Sequence, residues 1–347
     1  DELHQTATIS DGTWAALRRS FPPAEIVELI LVAGQYRMLS TLANAAGVDA
    51  SLEPGPTVPT RPAPFAMDNE LLGLRDAVAL ITGGARSIGR GCALLLARAG
   101  CHVVVADIAD GEAAVAEIEA LGRTAAYERG DMRSKTDIQR IVDATIARFG
   151  RLDVAVNTVG STKGPKPFLD IDIEAWDDVV TQNLSTTVLS TQVEALAMIK
   201  LGIRGRIINI ASLSGVAAAP NAAGYGAANA GVIHMTRSAA LELARYGIRV
   251  NCIVPGTHYT EAVHEALVRD PQIAEWVRMT GEACPLGRIG EVWETAGVAV
   301  FLASKLSSFV TGEEIVSDGG TLHTTARPPI GMATEADAVL RLRTGTP

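Results

Sequence analysis

Thr82-Gly83-Gly84-Ala85-Arg86-Ser87-Ile88-Gly89 joins an apolar run, Ala77-Val78-Ala79-Leu80-Ile81-Thr82, to a stretch with helical spacing over 87–99. A short apolar run, a glycine turn and a helix together open a strand–helix–strand unit. Outward from it, strand candidates recur at 101–107, 124–127, 152–157, 205–211, 248–254 and 314–316. Helical patterns at 87–99, 111–121, 134–149, 174–201, 222–246 and 291–304 separate most of them. Val103-Val104-Val105-Ala106 is apolar without alternation, the mark of a strand covered on both faces. The expected fold class is α/β, a doubly wound parallel sheet over 75–323 with helices on both sides.

The flanks differ in character. Residues 1–50 hold Ser20-Phe21-Pro22-Pro23, a capping residue and prolines suited to a first turn. Ile26, Leu29, Ile30, Ala33, Tyr36 and Leu39 follow at helical spacing, and Gly47 is the expected stop. Residues 51–74 read as a linker and lead-in, extended and semi-rigid because five prolines fall between 54 and 64. Residues 324–347 read as a polar tail.

Composition narrows the classes of partner. With 48% hydrophobic residues in 347, a large core is available and a disordered chain is excluded. Thirty Lys and Arg against 39 Asp and Glu leave a charge of −9 without a basic run, so neither nucleic acid nor an anionic membrane is expected as partner. No apolar run is long enough to span a bilayer; the most apolar N-terminal stretch, 26–46, contains Glu28 and Arg37. The chain starts at Asp1 with no signal-peptide pattern. Cys92, Cys101, Cys252 and Cys284 show no Cys-x-x-Cys pairing, and no Cys/His cluster has zinc spacing. The expectation is a cytoplasmic protein without a metal site.

The glycine turn has a chemical reading as well. Backbone N–H groups and the positive end of the following helix can approach a pyrophosphate there. Asp107, at the end of the next strand candidate and eighteen residues after Gly89, can accept the hydrogen bonds of an adenine-ribose diol and repels a 2′-phosphate. Arg86, a guanidinium beside the turn, pulls toward the phosphorylated form. NAD is expected over NADP.

With these residues in place, the chain resembles the short-chain dehydrogenase/reductase family over about 75–323, which implies a Rossmann-type sheet. Gly83, Arg86, Ser87, Ile88 and Gly89 fall on the family's cofactor turn, with Ser87 where the middle glycine stands. The resemblance implies further cofactor contacts at Asp107, at Asp131 and Met132 beside adenine, and at Asn157 and Gly160 at a strand end. It also implies Pro255, Gly256, Thr257, His258 and Thr260 against nicotinamide; His258 replaces a usual aliphatic residue. The closing strand and turn match in Phe301 to Ser304, Thr311-Gly312 and Asp318-Gly319-Gly320.

The family carries hydride transfer on Ser, Tyr and Lys helped by Asn, which the resemblance maps to Ser212, Tyr225, Asn229 and Asn183. A serine hydroxyl can hold a substrate oxygen and a tyrosine can exchange a proton with it. The lysine is replaced: Asn229 stands four residues after Tyr225, on the same helix face. Its amide can bond a ribose hydroxyl but supplies no charge. Both Tyr225 and Asn229 are also expected to contact the cofactor. An NAD(H)-dependent alcohol–ketone oxidoreductase is the first reading, with Lys163, His258 or Arg86 as stand-in cations. A catalytically impaired, nucleotide-binding partner subunit is the alternative.

Two variable segments are expected to line the substrate pocket. One is 160–168, with Lys163 and Lys166. The other is a mostly apolar lid from His258 to Cys284 that includes Tyr259, Val263, Leu267 and Trp276. His264 is the second histidine singled out. Residues 1–50 faintly resemble the terminal helices of carboxymuconolactone-decarboxylase-like proteins and are read as a docking helix. The resemblance to the short-chain family implies pairing through the long helices 174–201 and 222–246 into a homodimer or homotetramer, with a hetero-oligomer as the other expectation. The expected small-molecule partner is an alcohol or ketone.

Overall fold

In a computed structural model, the chain is described at residues 70–162 and 166–324. The readings of residues 1–50, most of the linker, Lys163 and the polar tail from 325 lie outside the described residues. Seven strands form one sheet: β1 Val78–Thr82, β2 His102–Asp107, β3 Ala125–Arg129, β4 Val154–Asn157, β5 Arg206–Ile210, β6 Arg249–Pro255 and β9 Glu314–Ser317. Their order is β3-β2-β1-β4-β5-β6-β9, and every pairing is parallel. A short parallel pair, β7 His258–Tyr259 and β8 Gly290–Glu291, stands apart.

Side-chain alternation along each strand feeds two cores. Ala79, Ile81, Val103 and Val105 pack with Cys92 and Leu96 of α1 (Ser87–Arg98), Ile118 of α2 (Glu112–Ala120) and Leu302 of α9 (Val292–Ala303). Leu80 and Val104, from the opposite faces of the same strands, and Ala155 of β4 pack with Ile138 and Ile141 of α3 (Lys135–Phe149) and Met198 of α5 (Thr186–Lys200). Ala240 of α6 (Ala223–Leu243) joins them. Both faces being covered is why β1 is buried at all five positions and reads as apolar throughout.

Local signals set the helix ends. Ser134 caps α3 by accepting from Asp137 N, and Gly150 closes it at φ +74. The expected helix over 174–201 is instead α4 (Ile173–Val180), capped by Asp172, then a π turn at Thr181–Ser185, then α5. The segment from His258 to Cys284 contains α7 (Glu261–Arg269) and α8 (Pro271–Ala283), which periodicity did not announce. Their starts are conventional: Thr260 caps α7, Asp270 caps α8, and Pro271 occupies the first position of α8.

The register aligns the strand ends. Thr82 lies opposite Ala106 on one side and Asn157 on the other, and Asn157 opposite Asn209. The order reverses at β1, between β2 and β4. A crevice outside the carboxyl ends at that point is where such sheets bind ligands.

Candidate active site

A cavity of about 560 Å³ opens at these carboxyl ends. Its wall begins with the turn after β1. Gly83 takes φ +70, and a Cβ on Gly89 would lie 2.1 Å from Gly83 O and 2.6 Å from Thr158 Oγ1. The backbone is therefore bare where a ligand can approach it. Ser87 holds φ +50, a left-handed conformation costing a side-chain-bearing residue roughly 1–2 kcal/mol. Its N–H and hydroxyl both donate to Glu261 Oε2 at 2.8 Å. Two hydrogen bonds to a charged acceptor, about 1.5–3 kcal/mol each, outweigh that strain.

Asp107 closes β2 and lines the cavity. Its Oδ2 accepts from Ala85 N at 3.1 Å and its Oδ1 from Ala109 N at 2.9 Å, so the carboxylate is aimed by the turn and by its own strand end. Asp131 and Met132 line the same end. Asp131 grips Arg133, whose Nε lies 3.1 and 3.0 Å from its two oxygens and whose Nη2 lies 2.7 Å from Oδ2. That pairing raises the Arg133 pKa further. Among the described residues, Arg86 and Arg133 are the basic side chains lining the cavity.

At the other end, Ser212, Tyr225, Asn183 and Asn229 share the cavity wall with Gly160, Pro255, Gly256 and Thr260. Ser212 Oγ accepts from Ser214 N at 3.2 Å, which leaves its proton to donate elsewhere. Tyr225 stands in the first turn of α6. Asn229, buried one turn later, donates from Nδ2 to Tyr225 O at 2.9 Å. Asn183 sits in the π turn. Its Nδ2 donates to Ser161 O and Val179 O at 3.0 and 2.8 Å, and its Oδ1 accepts from Ser161 N at 3.0 Å. A Cβ on Gly160 would come within 2.7 Å of that oxygen, so this clamp requires glycine. Single π turns recur at functional sites.

Three expected cofactor contacts lie elsewhere. Asn157 is buried beneath the cavity, accepting from Thr82 Oγ1 at 3.0 Å and donating to Glu194 Oε2 and Asn209 Oδ1 at 3.0 and 3.1 Å. Thr257 and His258 line a neighbouring cavity of about 220 Å³. The His258 Nδ1–H donates to Gly256 O at 3.0 Å, since a carbonyl only accepts, and Nε2 meets Thr295 Oγ1 at 2.8 Å. His258 is thus a buried support behind Gly256, outside the lining of the cavity that holds Tyr225. The expected apolar lid also departs from the cavity. Val263, Leu267 and Trp276 are absent from its lining, and Trp276 is half exposed. Tyr259, Leu267 and His264 line a separate groove on α7. Lys166 pairs with Asp172.

The residues fit a dinucleotide by the test of the turn itself. The glycines leave backbone exposed, and Ser87 converges two donors on an anion at the start of a helix, where Glu261 supplies the carboxylate. Residues 83–322, well over half of the chain, match the family model described as enoyl-(acyl carrier protein) reductase. The chain is a short-chain dehydrogenase/reductase. As such it is an oxidoreductase acting on CH–OH groups, in a family that uses nicotinamide cofactors.

It is 37% identical over 241 residues to the 2,5-dichloro-2,5-cyclohexadiene-1,4-diol dehydrogenase of Sphingobium indicum, covering 70% of this chain and 95% of that one. It is 38% identical over 247 residues to the cyclohexanol dehydrogenase of an Acinetobacter species, covering 70% and 94%. A crystal structure of a short-chain type dehydrogenase/reductase from Mycobacterium marinum superposes with a TM-score of 0.67 at 33% identity, over 73% of this chain and 98% of that one.

In this short-chain dehydrogenase/reductase Arg133, Thr158 and Gln182 line the cavity without having been singled out in the sequence; Ser161 lines it from within the expected segment 160–168, and Glu261, within the expected segment 258–284, does not. Thr158 follows the named Asn157 and Arg133 follows Met132, so chain adjacency was an available signal for both. Glu261 gave none beyond an acidic residue in a first helical turn. Four cysteines are buried and free. Burial pushes Cys92, Cys101 and Cys252 up to about 12, which makes them poor nucleophiles. Among the described residues, no helix is long and apolar enough to cross a membrane.

Proposed function

We propose that the chain interconverts an alicyclic secondary alcohol and its ketone, with NAD(H) preferred over NADP(H). The observation that carries this reading is one cavity lined by the glycine turn, Asp107, Ser212 and Tyr225 together. A nicotinamide cofactor, when bound, accepts or supplies the hydride. Gly83, Ser87, Ile88 and Gly89 would hold its pyrophosphate, and Asp131 and Met132 would flank adenine. Each Asp107 oxygen accepts one backbone N–H and keeps a lone pair for a ribose hydroxyl; a 2′-phosphate there meets its charge. Pro255, Gly256 and Thr260 would flank the nicotinamide end.

Ser212 donates to the substrate oxygen, and Tyr225 exchanges the proton of the CH–OH group. Asn229, one N–H being held by Tyr225 O, would offer its amide oxygen to a ribose hydroxyl. Asn183 is a positioning residue, since its hydrogen bonds go to the loop and helix that frame the cavity. The alicyclic substrate is carried over from relatives named for cyclohexanol, a cyclohexadienediol and cis-4-hydroxycyclohexanecarboxylate. A homodimer or homotetramer through α5 and α6 is proposed with it; Leu196 and Leu241 stand exposed on those helices.

A second reading, a nucleotide-binding subunit without turnover, is favoured by Asn229 standing where a cation would serve. Titration with NADH and NADPH, followed by turnover on cyclohexanol and cyclohexanone derivatives, separates the two. The expected result is tighter NADH than NADPH binding, a bias relieved in Asp107→Ala, and turnover of at least one cyclic alcohol. Tighter NADPH binding would overturn the cofactor assignment and promote Arg86. Binding without turnover on any alcohol or ketone would favour the second reading.

A further inference from the structure

Ser87 and Glu261 are 174 residues apart in the chain, yet one carboxylate oxygen takes both the N–H and the hydroxyl of Ser87 at 2.8 Å. The other oxygen stands 3.7 Å from Arg90 Nη1, on the same helix α1. Ser87 and Ile88 line the large cavity, and so does Thr260, the residue directly before Glu261. The contact therefore lies at the start of α1, at the edge of the space a dinucleotide would fill. Burial alone would raise the Glu261 pKa. Its own N–H, the Ser87 hydroxyl and N–H, and the Arg90 charge outweigh this and hold it below the usual glutamate range. The group is a carboxylate at neutral pH.

A phosphate oxygen at hydrogen-bond distance from the same two donors would occupy the place of Glu261 Oε2. It would also bring like charges together. We propose that Glu261 is an internal competitor for the pyrophosphate subsite: a latch that ties the start of α7 to the glycine turn and that the dinucleotide must displace. The proposal rests on the reading of the cavity as a dinucleotide site. The build of α7 suits a released element. None of its residues is buried, and Val268 is 87% exposed. Its anchors are the latch, the Thr260 cap, the two-residue β7–β8 pairing before it and its packing against α8. Freed from Ser87, α7 has no fully buried side chain to hold it to the sheet and can move with α8. Free protein would thus present α7 docked, and bound protein would present it released.

The test titrates NADH into the parent protein, Glu261→Gln and Glu265→Gln. Glu265 lies one turn further along α7, exposed and paired with Arg269, and controls for the loss of a negative charge as such. Amide hydrogen exchange over 261–269 is followed in parallel. Glu261→Gln keeps the shape and removes the charge, so NADH should bind about tenfold more tightly, while Glu265→Gln binds as the parent does. Exchange over 261–269 should quicken when NADH is added to the parent, and be quick already in free Glu261→Gln. Equal or weaker NADH binding by Glu261→Gln, equal tightening in Glu265→Gln, or slower exchange over α7 on NADH addition would each overturn the latch. If no form binds NADH or NADPH, the dinucleotide reading of the cavity fails, and the latch fails with it.

Discussion

Asn229 is buried one turn after Tyr225, its Nδ2 bonded to Tyr225 O. An amide there orients but does not polarise. A lysine in its place would put a positive charge beside the phenol, and an opposite charge at that range moves a pKa by about 1–3 units. Asn229→Lys should therefore speed alcohol oxidation near neutral pH and move the basic limb of the rate–pH profile to lower pH. Tyr225→Phe should abolish turnover in both backgrounds. A steady-state profile from pH 6 to 10 decides it. An unchanged rate and profile in Asn229→Lys would mean that another group already supplies the charge.

The glycine turn and the π turn are each a single element whose geometry leaves room for one residue type. At Gly89 a Cβ would lie 2.1 Å from Gly83 O, which only a backbone shift relieves. Gly89→Ala should cost about 1–3 kcal/mol of stability, the usual range for overpacking, and remove NADH binding. Chemical denaturation and a titration read the two effects. The π turn works differently. It breaks the α4–α5 helix at Thr181–Ser185 and buries Asn183 against Ser161, so the loop after β4 is held by a helix interior. Expecting an unbroken helix over 174–201 was correct about direction and blind to this extra residue in the turn. The reason is that apolar periodicity near 3.6 does not register a single five-residue turn.

Across the whole molecule, a polar chain runs through the core from Thr82 to Asn157, then to Glu194 and Asn209, and on to Thr236. Glu194 is fully buried, and its Oε1 has no hydrogen-bond partner among the described residues. Burial raises its pKa to about 7, partly offset by the Asn157 hydrogen bond. In the unfolded chain a glutamate titrates near 4.3. Between those values the native state binds more protons, so stability falls as pH rises from about 4.5 through 7, and the penalty is fully present above that. Glu194→Gln should flatten this slope and be the more stable form at pH 8, by on the order of 2 kcal/mol. Urea unfolding at pH 5 and pH 8 measures it; equal slopes in both proteins would show that Glu194 does not titrate in this window.

What the sequence determined by itself follows from local rules. Apolar runs without alternation required strands covered on both faces, glycine between strand and helix required a bare turn, and Asp107 at a strand end required a carboxylate at the crevice. The order of these pieces along the chain was enough for the sheet and for the glycine turn and Asp107, whereas the rest of the named cavity wall, Ser212, Tyr225, Asn183 and Asn229 among it, came from the resemblance to the short-chain family. The tertiary structure alone decided where side chains at those positions point. Asn157 and His258 sit at strand ends like Asp107, yet one enters the core network and the other backs Gly256, because each strand face is assigned by packing rather than by residue type. The pairing of Ser87 with Glu261 was equally invisible. It joins residues 174 apart, and no periodicity or capping rule links positions at that separation. Only the sheet, by bringing the ends of β1 and β6 to one edge, sets a carboxylate from the far end of the domain against the first turn of α1.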